Sequence, residues 1–190
     1  MKIRVLLSLI FLSFLFVSRT SYAKEITGVC GDNASYSYDD QKGIMTISGS
    51  GRIYQNWSED ITAGIRQLIL EEGITNTGKG TFQDAIHLTD VRLPDSLTEL
   101  SDNSFSGCTS LKSILIPKNV TKKVNSAFSG SSIEEAVFAE GSRVVACQLF
   151  SNCKTLKKVT LAGTIQTIRA SSFSGCSNLS VIRLPDQLQE

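Results

Sequence analysis

Phe105-Ser106-Gly107-Cys108-Thr109-Ser110-Leu111 returns as Phe150-Ser151-Asn152-Cys153-Lys154-Thr155-Leu156, and again as Phe173-Ser174-Gly175-Cys176-Ser177-Asn178-Leu179. The copies agree at Phe, Ser, Cys and Leu, and the leading aromatic belongs to a longer series. Phe82, Phe105, Phe128, Phe150 and Phe173 follow one another at intervals of 23, 23, 22 and 23 residues. A fixed period of this length, held over five copies, is the signature of a repeat solenoid whose coils contact only their neighbours.

Beyond each Phe of a full-length copy an apolar pair follows: Val91 and Leu93, Ile114 and Ile116, Val159 and Leu161, Ile182 and Leu184; Leu68 and Leu70 belong to an incomplete first copy. Alternation with a period of two predicts one short strand per coil with its apolar side chains facing inward. Equivalent strands stack into a parallel sheet that grows by about 4.8 Å per coil. Pro94, Pro117 and Pro185 end the strands, because proline has no N–H for the ladder. Ile74, Leu97, Val120 and Ile165 recur on the return half of the coil. The unit led by Phe128 is irregular: Ser131 stands where Cys is expected, one residue is missing before Ile133, and Ala136 and Phe138 form its strand pair. A local distortion is expected there.

The outward set is the complement of the buried one: Gln67 and Ile69, Asp90 and Arg92, Ser113 and Leu115, Glu135 and Val137, Lys158 and Thr160, Val181 and Arg183. Its apolar middle, Leu115 and Val137, is flanked by Arg92, Lys158 and Arg183. That is the composition of a protein-binding patch, since a sugar site would offer aromatic platforms. Asp90, Arg92, Leu115, Glu135, Val137, Lys158, Thr160 and Arg183 are therefore the candidate protein-binding residues.

The amino-terminal end reads as a secretory leader. Lys2 and Arg4 precede a mostly apolar run of 13 residues from Val5 to Val17, and Ser21-Tyr22-Ala23 supplies small residues for cleavage after Ala23. A membrane span needs roughly 20 apolar residues, and no span is expected elsewhere. Cys30 follows Val29 beyond the cleavage point, so no lipid anchor is expected. Loss of Lys2, Arg4 and Arg19 with residues 1–23 leaves 16 basic and 18 acidic residues, which is no nucleic-acid footprint. Five cysteines cannot all pair within one molecule. The expected division is a leader at 1–23, a cap at 24–64 and a solenoid at 65–190 whose last coil is incomplete. Its final strand, Val181 to Leu184, has no successor, and the expectation is either self-association through that open edge or a longer protein whose next coils cover it.

The unit Phe-Ser-Gly-Cys-x-x-Leu-x-x-Ile-x-Ile/Leu-Pro resembles the BspA-like class of leucine-rich repeats, found in surface proteins of anaerobic bacteria and parasitic protists. Cys30-Gly31-Asp32-Asn33, Tyr36-Ser37-Tyr38, Gly43 to Gly51 and Trp57 resemble the amino-terminal cap of that class. The resemblance implies leucine-rich-repeat coils with a parallel sheet on one face, and surface adhesion or antigenicity toward host matrix proteins or other microbes. From the residues alone, 34–38 and 44–48 form a hairpin around Asp39-Asp40-Gln41-Lys42-Gly43, placed to cover the first coil.

Parts for catalysis are few, and neither an enzyme activity nor a cofactor or metal is expected. His87 is the one histidine, at a repeat position held elsewhere by Ser110, Thr155 and Asn178, so it reads as a turn residue. Gly73-Ile74-Thr75-Asn76-Thr77-Gly78-Lys79-Gly80 falls one residue short of a phosphate-binding loop, Gly80 standing where Ser or Thr would hold magnesium. Cys108, Cys153 and Cys176 share one repeat position and read as small buried hydrophobes, with a Cys153–Cys176 disulfide as the alternative. Asp39-Asp40, Glu71-Glu72 and Glu134-Glu135 read as solvated turns. The sequons at Asn33, Asn56, Asn119 and Asn178 would carry glycans only in a eukaryotic secretory pathway. Two functions follow: an extracellular adhesion or recognition module, or a passive antigenic surface element or piece of a larger adhesin.

Overall fold

The structure, a computed structural model, describes residues 24–54, 56–122 and 124–189; the leader at 1–23 lies outside the described residues. Three strands open the chain, β1 (Glu25–Val29), β2 (Asn33–Asp39) and β3 (Ile44–Arg52), paired antiparallel in sequence order. Between β2 and β3 the Asp39 carboxylate accepts the N–H groups of Gln41 and Lys42 at 3.1 and 2.9 Å, and Gly43 closes the turn at φ +69°. Inward positions Ala34, Tyr38, Met45 and Ile47 are buried. Next comes α1 (Glu59–Gly64), capped by the Ser58 hydroxyl and carrying Glu59 and Asp60 where the helix dipole favours acids.

From here the chain coils. β4 (Gln67–Leu70) lies parallel to β3 with Met45 opposite Leu68 and Ile47 opposite Leu70. Each of those pairs is one repeat apart, so β3 is itself a repeat strand, one coil ahead of the first recognisable copy. The cap is hydrogen bonded into the solenoid sheet instead of lying over its end. β5 (Ile74–Asn76) returns beside the end of β3, and β6 (Asp90–Arg92) adds to β4. Then follow β7 (Ser113–Ile116), β8 (Glu135–Phe138), the short β9 (Val144–Val145), β10 (Lys158–Thr160), β11 (Thr167–Ile168) and β12 (Val181–Arg183). The strands β7, β8, β10 and β12 form one parallel sheet, and β9 pairs with β11 on the return side. One departure from a single continuous sheet stands out: β6 and β7 belong to separate sheets.

The core is a column. Phe82, Phe105, Phe128 and Phe150 are fully buried, and successive rings from Phe82 to Phe173 stack with centroids 5.3, 5.5, 5.2 and 5.9 Å apart. Trp57 extends the column by one place, 6.3 Å from Phe82 and 23° from its plane, with Tyr36 set edge-on at 4.7 Å. Such contacts add about 0.5–1.5 kcal/mol each to the burial of the rings. Ile74, Leu97, Val120 and Ile165 are buried on the return half. In the short unit Ser142 takes that place and turns its hydroxyl back onto Ala139 O at 2.6 Å. Two residues after each Phe the backbone is left-handed, at Asp84, Gly107, Gly130, Asn152 and Gly175, which accounts for the Gly of the motif.

The irregular unit is absorbed more locally than expected. β8 keeps register with both neighbours, Ala136 opposite Ile114 and Val159, and the Phe128–Phe150 stack is the tightest of the ladder. Ser131 is buried and bonds Phe128 O at 2.7 Å, filling the place of the missing Cys. A surface hollow lies beside this unit, between residues 129–132 and Asn152, Lys154 and Thr155.

Candidate protein-binding face

Alternation and stacking together decide where the eight candidate residues lie. Asp90 and Arg92 stand on β6, Leu115 on β7, Glu135 and Val137 on β8, Lys158 and Thr160 on β10, and Arg183 on β12; all are exposed. Register brings six of them into two columns, while Asp90 and Arg92, on β6, lie in the neighbouring sheet. Glu135 is opposite Lys158, and Leu115, Val137, Thr160 and Arg183 follow one another across β7, β8, β10 and β12. Leu115 is 55% exposed and Val137 38%, although both are apolar.

Charge is placed around that pair in ion pairs that lie on the surface. Arg92 reaches Asp90 at 3.6 Å, and Lys158 reaches Glu135 at 3.7 Å. Asp90 also accepts from Gln67 at 2.5 Å. Exposed pairs of this kind contribute about 0–1 kcal/mol, so they leave both partners available to a docking surface. Just behind the strands, Glu134 sits between Lys157 at 2.6 Å and Lys112 at 3.7 Å. Hydrogen bonding and charge from Lys157 hold its carboxyl below the ordinary carboxylate range.

The other chemistry-bearing residues are taken up by the coil. Gly73 N–H donates to Ser96 Oγ at 2.9 Å, Gly78 N–H to Asn76 Oδ1 at 2.7 Å, and Gly80 N–H to Asp102 O at 2.9 Å. A phosphate cradle must present such N–H groups to its ligand; here they bind this and the following coil, and Ile74 and Thr77 are fully buried. Cys30, Cys108, Cys147, Cys153 and Cys176 are all free thiols, so the Cys153–Cys176 disulfide is not formed. Cys108 and Cys176 donate to Phe82 O and Phe150 O at 3.3 and 3.1 Å. Burial pushes Cys108 up to about 12 and Cys30 and Cys176 to about 11, leaving little thiolate for nucleophilic work. His87 is exposed on its turn. The acidic pairs have structural duties: Asp39 caps its turn, and Glu72 accepts Asp95 N–H at 2.8 Å and Ser96 N–H at 3.1 Å in the next coil. Among the described residues no helix is long and apolar enough to cross a membrane.

At the carboxy-terminal end the inward pair loses its cover. Ile182 is 36% and Leu184 54% exposed, whereas the same two positions three coils earlier, Ile114 and Ile116, are buried. Beside them Lys158, Thr160, Val181, Arg183 and the turn 184–187 line a hollow of about 470 Å³.

The model of the BspA-type leucine-rich repeat region matches residues 60–157 and 125–190, with six copies. This chain belongs to the BspA-type leucine-rich-repeat family. With that membership goes the coarse function, a repeat module for protein recognition. Among solved structures, a leucine-rich-repeat protein of T. pallidum is 20% identical over 80% of this chain and 79% of its own, with a TM-score of 0.56. That likeness shows the fold. One from Eubacterium ventriosum is 16% identical over 80% of this chain and 64% of its own, with a TM-score of 0.48. The pneumococcal vaccine antigen PcpA is 19% identical over 77% of this chain and 44% of its own, at 0.49. The chain thus spans less than two thirds of the length of the latter two. Comparison with curated proteins gives no match.

Two signals escaped the sequence reading. Trp57 lies 25 residues before Phe82 and carries a different ring, so it did not register as a column member. Met45 and Ile47 do lie 23 residues before Leu68 and Leu70, and that spacing could have identified β3 as a repeat strand.

Proposed function

We propose that this BspA-type module is secreted or held at the cell surface and acts in adhesion or recognition, docking an extracellular protein on its exposed sheet face. Residues 24–64 serve as the cap and 65–190 as the recognition solenoid. The observation that carries the reading is the Leu115–Val137 pair, two apolar side chains in register on a solvent-facing sheet and exposed where the alternation would allow polar residues at no cost. Arg92, Lys158 and Arg183 supply a charged rim around an apolar centre, the anatomy of a protein interface. The leader-like segment at 1–23 and the family support an extracellular setting.

A binding screen tests it. The chain beginning at Lys24 is immobilised and offered purified host matrix proteins, host surface proteins and microbial surface proteins, in parallel with a Leu115→Asp, Val137→Asp double variant. Binding by the native chain that the double variant loses supports the reading; equal capture by both rejects the sheet face. A second contact surface is proposed at the carboxy-terminal edge, for self-association, because Ile182 and Leu184 are exposed there.

A further inference from the structure

Two outermost strands bound the sheets, β1 at the amino-terminal end and β12 at the other. β1 is antiparallel to β2, β2 is antiparallel to β3, and β3 is parallel to β4, so β1 runs in the direction of the solenoid strands. Its side chains also alternate as theirs do: Ile26 packs against the core, while Glu25, Thr27 and Val29 face outward. The cap therefore ends in a strand with the polarity and the facing of a further coil.

The backbone groups on the two free edges match. Asp40 N–H donates to Lys24 O, and Cys30 N–H to Ala34 O. The even-numbered residues of β1 thus turn their polar groups to β2 and leave those of Glu25, Thr27 and Val29 on the open edge. On β12, Val181 N–H donates to Lys157 O, which leaves the N–H and C=O of Ile182 on the open edge. We propose that a second copy of this chain docks head to tail, its β1 adding to β12 as the next parallel strand with Ile26 opposite Ile182. In that register Ile182 N–H donates to Glu25 O, Thr27 N–H donates to Ile182 O, and both isoleucines point inward.

Charge favours the same arrangement. Residues 24–60 hold six acids against three bases, and residues 151–190 hold five bases against two acids, so an acidic head meets a basic tail. The contact would cover Ile182 and Leu184 and set Arg183 opposite Thr27, diagonal to Glu25 and within reach of its long side chain. It is heterologous and does not close, so assemblies lengthen with concentration. The inference rests on the reading of the carboxy-terminal edge as self-associating, and adds its partner surface.

Sedimentation velocity on the chain beginning at Lys24 tests it with two edge variants. Thr27→Pro removes the outward N–H of β1 and leaves the β1–β2 ladder intact; Ile182→Pro blocks β12. The native chain should associate progressively, each variant alone should sediment as a monomer, and their equimolar mixture should stop at a dimer, since it holds one good tail and one good head. Thr27→Pro that associates like the native chain would overturn the head-to-tail contact while leaving edge association standing. A native chain that stays monomeric at every concentration would overturn both. Should either proline variant lose its cooperative melting transition, Glu25→Lys and Arg183→Glu replace the pair: each alone weakens association about fivefold and mixing restores it. Association unchanged in both also overturns the proposal.

Discussion

Trp57 stacks on Phe82 with ring centroids 6.3 Å apart and planes 23° apart, occupying in the cap the place that a phenylalanine holds in every later coil. The aromatic column thus begins before the repeat motif does, and the cap shares the core of the solenoid. Unfolding of one should be coupled to unfolding of the other, because a single stack of rings runs through both.

Phe105→Ala should lower stability by about 3–5 kcal/mol, since it removes a fully buried ring stacked on both sides. Trp57→Ala should also destabilise the whole chain in one transition. Trp57→Phe should cost less than Trp57→Ala: it keeps a ring in the column and removes an indole N–H that is buried without a partner. Urea unfolding followed by circular dichroism measures all three. A separate early transition in Trp57→Ala would show that the cap melts on its own.

How much of this was legible in the sequence depends on whether a residue is repeated. The inward positions were readable because stacking forces every coil to bury the same places, and Phe82 to Phe173, Leu97 and Ile114 behave accordingly. The hairpin was readable as alternation around a polar turn, although β1 was not, since its Gly28 interrupts the pattern. What was not legible depends on partners outside the motif. Nothing in Asp90-Val91-Arg92 or Ser113-Ile114-Leu115 announces that β6 and β7 fall into separate sheets. The deletion before Ile133 was visible, but its containment within one turn depends on Ser131 finding Phe128 O. For the candidate face, alternation gave the positions, while the ion pairs Asp90–Arg92 and Glu135–Lys158 depend on side-chain rotamers and on the register of β8 against β10.

Within one column the hydroxyls differ, and their removal should have opposite signs. Ser104 Oγ is buried with no partner, so Ser104→Ala should be neutral or stabilising by up to about 1 kcal/mol. Ser172 holds the same place three coils later and donates to Ala146 O at 3.0 Å, so Ser172→Ala should cost about 1 kcal/mol. Denaturation midpoints at equal m-values decide it. Equal losses in both would mean that Ser104 has a partner in solution.

Acid should act in part through Glu134. Its carboxyl is held below the ordinary value of 4.5, first by the hydrogen bond from Lys157, then by the charges of Lys157 and Lys112. A lowered folded value means that the contribution is complete above 4.5 and is lost as pH falls through the lower, folded value. Glu134→Gln should therefore melt lower than the native chain at pH 7 and approach it as pH drops below that range. Both carboxylate and lysines are on the surface, so the difference should be small and should shrink in salt. Melting temperatures that stay apart by the same margin in strong acid would assign the effect to packing.

The sheet face allows the sharpest separation of stability from function. Leu115, Val137 and Arg92 point away from the core, so Leu115→Asp, Val137→Asp and Arg92→Glu should each leave the melting temperature within about the change expected of ±0.5 kcal/mol. Binding should respond differently at the three positions. An aspartate at the apolar centre must be desolvated on docking, and its loss should be mainly in the off-rate, at about 2 kcal/mol or more if Leu115 or Val137 is an anchor. Arg92 lies at the rim beside Asp90, 3.6 Å away, so Arg92→Glu should act on the on-rate and its salt dependence. Surface plasmon resonance against the partner captured by the native chain reads both rates. Unchanged affinity in all three variants would remove the sheet face as the binding site and leave the passive surface element as the better account of this module.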